Sequence, residues 1–220
     1  MDMKYGRIAG NDSINEMIYR CFKHISQQDV PKFVKRFREQ PHDETQVLHT
    51  FRELILGAYL GSRGLRIRYA QQVAGKTPDW CIIDQGSAVR CVVELVNFHT
   101  DKSTEDAIER KLGAGEVSGV WKESNVPRLY QRIVDKAGAY KAVITARGLA
   151  YVVAIFSMST ANVTLKEVEQ CLRGRRYDAF GLYPELSGVL FFQEGRYKFF
   201  YVANPNAQRP IDLPSGELQL

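Results

Sequence analysis

The spacing of apolar and polar positions changes several times along this chain, and each change marks an element. Asn11-Asp12-Ser13 caps a helix continuing through Glu16, Ile18 and Phe22. Val30-Pro31 opens a second, through Phe33, Val34 and Phe37, on which Lys32, Lys35, Arg36 and Arg38 form a solvated basic face. Pro41 closes this polar layer. Asp43 or Thr45 then caps a helix from about Gln46 to Leu60 whose apolar residues run almost the whole way round after Arg52, the mark of a buried helix. Gly61 and Gly64 stop it, and Leu65 to Tyr69 resumes as a strand interrupted by Arg66 and Arg68.

Trp80 to Ile83 and Val89 to Phe98 are β-prone runs joined by Asp84-Gln85-Gly86-Ser87, a hairpin by its turn chemistry. Residues 99–126 are polar, contain glycine and lack strong periodicity, which predicts a mobile or inserted segment. Val126 to Lys141 reads as a helix with Pro127 at its start. Tyr151 to Phe156 has the continuous apolar pattern of a strand covered on both faces. A helix at 164–173 and a hairpin of Ser187–Phe192 and Tyr197–Val202 around Glu194-Gly195 follow; the aromatic residues of that hairpin read as packing rather than a base-stacking platform. The order predicts an α/β (α+β) chain with a mixed sheet flanked by helices. Its expected divisions are a helical N-terminal extension (1–42), the main domain (43–204) and an irregular tail (205–220) carrying Pro205, Pro210 and Pro214.

Composition narrows the class of protein only slightly. The chain has 220 residues, 45% hydrophobic and 25% charged, with a net charge of +5. This balance permits an acidic partner such as nucleic acid without requiring one. Cys21, Cys81, Cys91 and Cys171 show no C-x-x-C spacing, which predicts buried, reduced thiols rather than disulfides or a zinc site. No signal peptide is evident and no apolar run reaches the roughly 18–20 residues of a membrane span, so a cytoplasmic protein without a membrane partner is expected. His24, His42, His49 and His99 have no metal-ligand spacing, and Walker, G-x-S-x-G and G-x-G-x-x-G motifs are absent.

The candidate chemistry lies in three acids and an amine. Pro78-Asp79-Trp80 is followed by Cys91-Val92-Val93-Glu94-Leu95-Val96, with Glu94 fifteen residues after Asp79. Alternation along the strand puts Glu94 on one face with Val92 and Val96. An unpaired carboxylate is expensive to bury there, and a hard cation or a basic partner would remove the cost. An edge strand with Glu94 in solvent, or a structural salt bridge, fits the spacing as well. Glu53 shares a helix side with Leu56, Gly57 and Leu60, and Gly57 with Gly61 would let that side approach a strand closely. Lys136 falls within about 20–40° of Leu129 and Tyr140 on its helix, so it either snorkels to the rim or meets a buried acid. Arg128 and Arg132 precede it on the same helix.

A helical Glu53, then Pro78-Asp79 opening a hairpin, then Val92-Val93-Glu94 on an apolar strand backed by a helix resembles the PD-(D/E)XK nuclease superfamily over roughly residues 44–160. The resemblance implies a restriction-endonuclease-like fold and a hydrolase that cuts DNA, in restriction, repair or defence. Asp79 and Glu94 would hold Mg²⁺ or Mn²⁺, and Glu53 would support the attacking water from the helix side. Cations that would neutralise DNA phosphates are Arg66, Arg68, Arg128, Arg132, Arg173, Arg175 and Arg176, each of which equally suits an ordinary solvated surface. Restriction-like folds often dimerise to cut two strands, so a homodimer is a further implication. The family's lysine belongs two residues after the second acid, where this chain has Val96. Some members supply it from another element, and Lys136 is the candidate here. If no base reaches the acids, the resemblance implies instead an inactive relative that binds nucleic acid or protein.

Overall fold

The computed structural model describes residues 12–39, 44–98, 125–157, 161, 163–193 and 196–220. In chain order its helices are α1 (Asp12–Phe22), α2 (Val30–Glu39), α3 (Glu44–Ser62), α4 (Val126–Arg147), α5 (Leu165–Arg173) and α6 (Ala179–Leu182). Its strands are β1 (Ile67–Tyr69), β2 (Trp80–Ile83), β3 (Val89–Phe98), β4 (Ala150–Ser157), β5 (Gly188–Gln193), β6 (Arg196–Ala203) and β7 (Gly216–Glu217).

All these strands form one mixed sheet in sequence order. Strands β1, β2 and β3 are antiparallel, β3, β4 and β5 run parallel, and β6 and β7 return antiparallel at the far edge. A parallel step needs a crossover, and α4 supplies it between β3 and β4. Side-chain alternation then assigns two cores. Val93, Leu95, Val152, Ala154 and Phe156 pack toward α1, α2 and α3; Val92, Val96, Val153 and Ile155 pack toward α4 and α5. Both central strands are therefore covered on each side, as the continuous apolar pattern of 151–156 predicts.

Several expectations need adjustment. Helix α4 continues past Lys141 to Arg147 and stops at Gly148, whose left-handed conformation lets its N–H close on the last carbonyls. Strand β1 is shorter than 65–69 and starts at Ile67, although the Arg66 carbonyl still accepts the Ile83 N–H at 2.8 Å and its guanidinium donates to Gln85 O at 2.8 Å. The basic face of α2 is only partly solvated: Lys32 reaches Asp29 and Tyr69 O at 2.8 Å, and Arg36 turns inward. Ile18, Cys21, Phe33 and Phe37 of α1 and α2 enter the same core as α3, so these helices are a layer of the fold rather than an appendage. The tail is not wholly irregular either, since Gly216–Glu217 adds a strand and Leu213 and Leu218 are buried. The aromatic hairpin packs as expected, with Phe199 stacked 3.7 Å from the Tyr59 ring. Asn11, the Pro41–Asp43 cap, the segment 99–124 and the Glu194-Gly195 turn lie outside the described residues.

Helix α3 is held against β2 by a very close approach. A Cβ on Gly57 would sit 1.9 Å from the Trp80 ring, so only glycine lets the indole lie flat on the helix. Gly61 meets two neighbours: most closely the backbone carbonyl of His24, in the turn after α1, and then Ile67 of β1, whose Cδ1 is 3.6 Å from where a Cβ would sit.

Candidate active site

The ladder between β2 and β3 ends at Trp80↔Val93, and the chain on the β2 side turns away at Pro78-Asp79. Beyond that point β3 still presents main-chain donors that need acceptors. Asp79 Oδ2 takes the N–H of Leu95 at 2.7 Å. In return the Asp79 N–H donates to Glu94 Oε1 at 3.2 Å. The strand end thus locks the two carboxylates beside each other.

Glu94 lies on the α4 face of β3 and is 4% exposed. Its charge is met by α4: Lys136 Nζ donates to Oε2 at 2.6 Å and the Tyr140 hydroxyl to Oε1 at 2.7 Å. Lys136 and Tyr140 are one helical turn apart, so both reach the same acid. Lys136 meets the buried carboxylate rather than only snorkelling, with its side chain 36% exposed at the rim. Val96, two residues further on the same face, is 5% exposed in the apolar core.

Glu53 approaches from the opposite layer. The Trp80 indole N–H donates to its backbone oxygen at 2.8 Å, fixing α3 to the residue next to Asp79. Its carboxylate is already engaged: Oε2 accepts from the Tyr69 hydroxyl at 2.5 Å and from Arg36, and Oε1 faces His49 Nε2 at 2.8 Å. The other nitrogen of His49 meets the Asn97 amide of β3. Glu53 is therefore a hub of the α2–α3–β1 side, and its link to Asp79 is electrostatic.

That link is visible in the Asp79 carboxyl, which is pushed up to about 7. Burial is the largest cause; the charges of Glu94 and then Glu53 raise it further, while the Leu95 N–H and Lys136 pull it back. Three acids and one amine form a single electrostatic unit. Tyr140 and Tyr151 are raised by burial and by Glu94 and Asp79.

The arginines divide. Arg68 donates to Ser26 Oγ at 2.8 Å, Arg173 pairs with Glu169 at 2.6 Å, and Arg128 lies 5.0 Å over the Phe98 ring. Arg132 is exposed on α4, and Arg175 and Arg176 are exposed on the loop after α5. Residues that sequence reasoning passed over are Tyr140, His49, Asn97, Tyr69 and Arg36. Helical spacing carries a signal for two of them, Tyr140 at i+4 from Lys136 and His49 at i−4 from Glu53. No local pattern marks the other three.

Among the described residues no group of three or more His, Cys, Asp and Glu is placed to hold a metal ion. Two carboxylates remain, and this matches the habit of Mg²⁺, which binds through one or two carboxylates plus waters and substrate phosphates. The donors are all oxygen, and a dication would oppose both the burial and the repulsion from Glu94 and Glu53 that raise Asp79. Such oxygen donors are of the kind that a hard divalent cation takes, and Glu94 Oε1, Glu94 Oε2 and Asp79 Oδ2 already accept hydrogen bonds. Among the described helices none is long and apolar enough to cross a membrane. The chain matches no family model, no curated protein and no solved structure.

Proposed function

We propose that this chain is a divalent-metal-dependent nuclease of the PD-(D/E)XK class that hydrolyses DNA phosphodiester bonds. The observation that carries the reading is the ion pair between Lys136 Nζ and Glu94 Oε2 at 2.6 Å, next to Asp79. It supplies from a helix the amine that Val96 cannot. The sequence of a buried helical acid, Pro-Asp before β2, an acid on β3 and a helix behind it follows the order the resemblance calls for, and the mixed sheet between two helical layers is compatible with a restriction-endonuclease-like fold.

Asp79 and Glu94 would hold Mg²⁺ or Mn²⁺. When bound, the ion supplies Lewis acidity at the phosphoryl oxygen and a more acidic attacking water. Lys136 orients that water and balances charge building on phosphorus, while its contact to Glu94 keeps the ammonium fixed. Tyr140 holds Glu94 in place through Oε1. Burial, then Glu94 and Glu53, raise the Asp79 carboxyl to about 7, so a bound cation would favour its ionised form. Water adds to phosphorus and the P–O ester bond breaks, leaving a phosphate and a hydroxyl end. Arg132 and Arg128 lie along α4 from Lys136, where neighbouring phosphates would pass.

The test is nicking of supercoiled plasmid with Mg²⁺ or Mn²⁺, using wild type, Asp79→Ala, Glu94→Ala and Lys136→Ala. Cleavage should need the cation and fall by more than about a hundredfold in each variant. Cleavage in chelator, or cleavage that survives Glu94→Ala, overturns the mechanism. Retardation of DNA by wild type without any cut would assign the chain to the inactive, binding class.

A further inference from the structure

We propose that the groove between the first turn of α4 and the loop after α5 seats an unpaired nucleotide of the substrate strand, so that the favoured substrate carries a single-stranded segment some nucleotides away from the cleavage point. The proposal rests on the nuclease reading and adds a subsite to it. The groove has a volume of about 390 Å³, within the range of about 300–1,000 Å³ typical of small-ligand sites. Pro127 forms one wall; Gln170, Arg175, Arg176 and Tyr177 form the other.

The loop that presents the arginines is tightly built. Gly174 N–H donates to Tyr177 O at 2.9 Å, closing a turn with Arg175 and Arg176 at its tip. A Cβ on Gly174 would come within 2.3 Å of Gln170 O, so the turn folds hard against the end of α5. The acids nearby are already committed, Glu169 to Arg173 and Asp178 to the N–H of Gly181. Among the described residues neither Arg175 nor Arg176 pairs with an acid.

The second component is aromatic. The Arg176 guanidinium lies 5.5 Å from the Tyr177 ring centroid, and the Tyr177 ring lies 5.0 Å from that of Tyr130 on α4. Guanidinium planes and tyrosine rings are surfaces on which unpaired bases stack, and a base inside a duplex cannot reach them. Phosphate charge beside a stacking surface is the chemistry of a nucleotide.

Helix α4 is common to the groove and to the amine that meets the acids. Pro127 and Lys136 are about 14 Å apart along its axis at about 1.5 Å per residue, and about half a turn apart around it. A strand that reaches both must cross α4, a path longer than the roughly four nucleotides that the axial distance alone would span at about 3.4 Å each. Arg128 and Arg132 occupy the interval.

Binding of labelled oligothymidylate and of a duplex of equal length is measured by anisotropy in chelator, where no cleavage occurs. Wild type should bind the single strand more tightly. Arg175→Ala/Arg176→Ala should weaken it by about tenfold or more and flatten the salt dependence by about 0.7 for each phosphate that is no longer neutralised. Arg175→Lys/Arg176→Lys keeps the charge without the planar stack, so it should retain the salt slope yet still bind more weakly. Unchanged affinity in the alanine variant with its thermal midpoint intact, or equal affinity of wild type for duplex, overturns the groove. Arginine-dependent single-strand binding by a protein that never cuts with Mg²⁺ or Mn²⁺ sustains the groove and sinks the nuclease reading alone.

Discussion

Asp79→Asn should make the free protein more stable, and by an amount that depends on pH. In the fold the Asp79 carboxyl is pushed from 3.8 up to about 7 by burial and by Glu94 and Glu53. Below about pH 4 the acid is protonated in folded and unfolded chains alike, and contributes nothing. Between about pH 4 and 7 the folded chain keeps a proton that the unfolded chain has lost, so this group makes stability fall as pH rises. Above about pH 7 the whole penalty is present. At about 1.4 kcal/mol per pH unit its ceiling is on the order of 4 kcal/mol, and partial solvent contact brings the expected gain to about 2 kcal/mol. Asparagine is neutral throughout, and its carbonyl can still accept the Leu95 N–H. Urea unfolding of both proteins at about pH 5 and pH 8 measures the difference, read as a shift in midpoint at unchanged slope. The gain should be larger at about pH 8. Added Mg²⁺ should then stabilise wild type, by about 2.7 kcal/mol at a hundredfold excess over Kd, and stabilise the variant far less. An Asp79→Asn protein that is less stable at high pH, or a difference independent of pH, would refute the electrostatic coupling of the acids.

Three other outcomes follow from the same geometry. Lys136→Ala should cost about 2 kcal/mol, because Glu94 is left with only the Tyr140 and Asp79 donors; Val96→Lys in that background should restore part of the nicking, since position 96 shares the face of Glu94, and no recovery in plasmid assays would mean that the amine does not act there. Gly57→Ala should destabilise by about 1–3 kcal/mol in urea and reduce nicking too, since the displaced Trp80 is the neighbour of Asp79; a protein of wild-type midpoint would show that α3 can retreat freely. Cys21, Cys81 and Cys171, pushed up to about 12 by burial, and Cys91, raised further, should resist iodoacetamide in the native state at about pH 8 and react on unfolding; rapid native labelling followed by mass spectrometry would locate a thiol that is not buried.

Local order was legible wherever the signal was short in range. The hairpin of Trp80–Ile83 and Val89–Phe98 follows from two β-prone runs and a turn, and the buried α3 from apolar residues on every side. The end of α4 was not, because residues 142–147 carry weak periodicity and the stop is a backbone conformation at Gly148. The short β7 was hidden because a two-residue strand exists only through its partner β6.

At the site the division falls in the same way. Alternation alone put Glu94 on one face of its strand, and helical angles alone put Lys136 on the buried side of α4; both are properties of a few consecutive residues. Neither rule could say that these two faces oppose each other, because that depends on the parallel crossover from β3 to β4. Nor could it say that Glu53 would be saturated by Arg36, Tyr69 and His49, drawn from three elements. Covalent neighbours fix the direction of a side chain; the identity of what it meets is set by packing between segments far apart in the chain, and so is every charge–charge energy at this site.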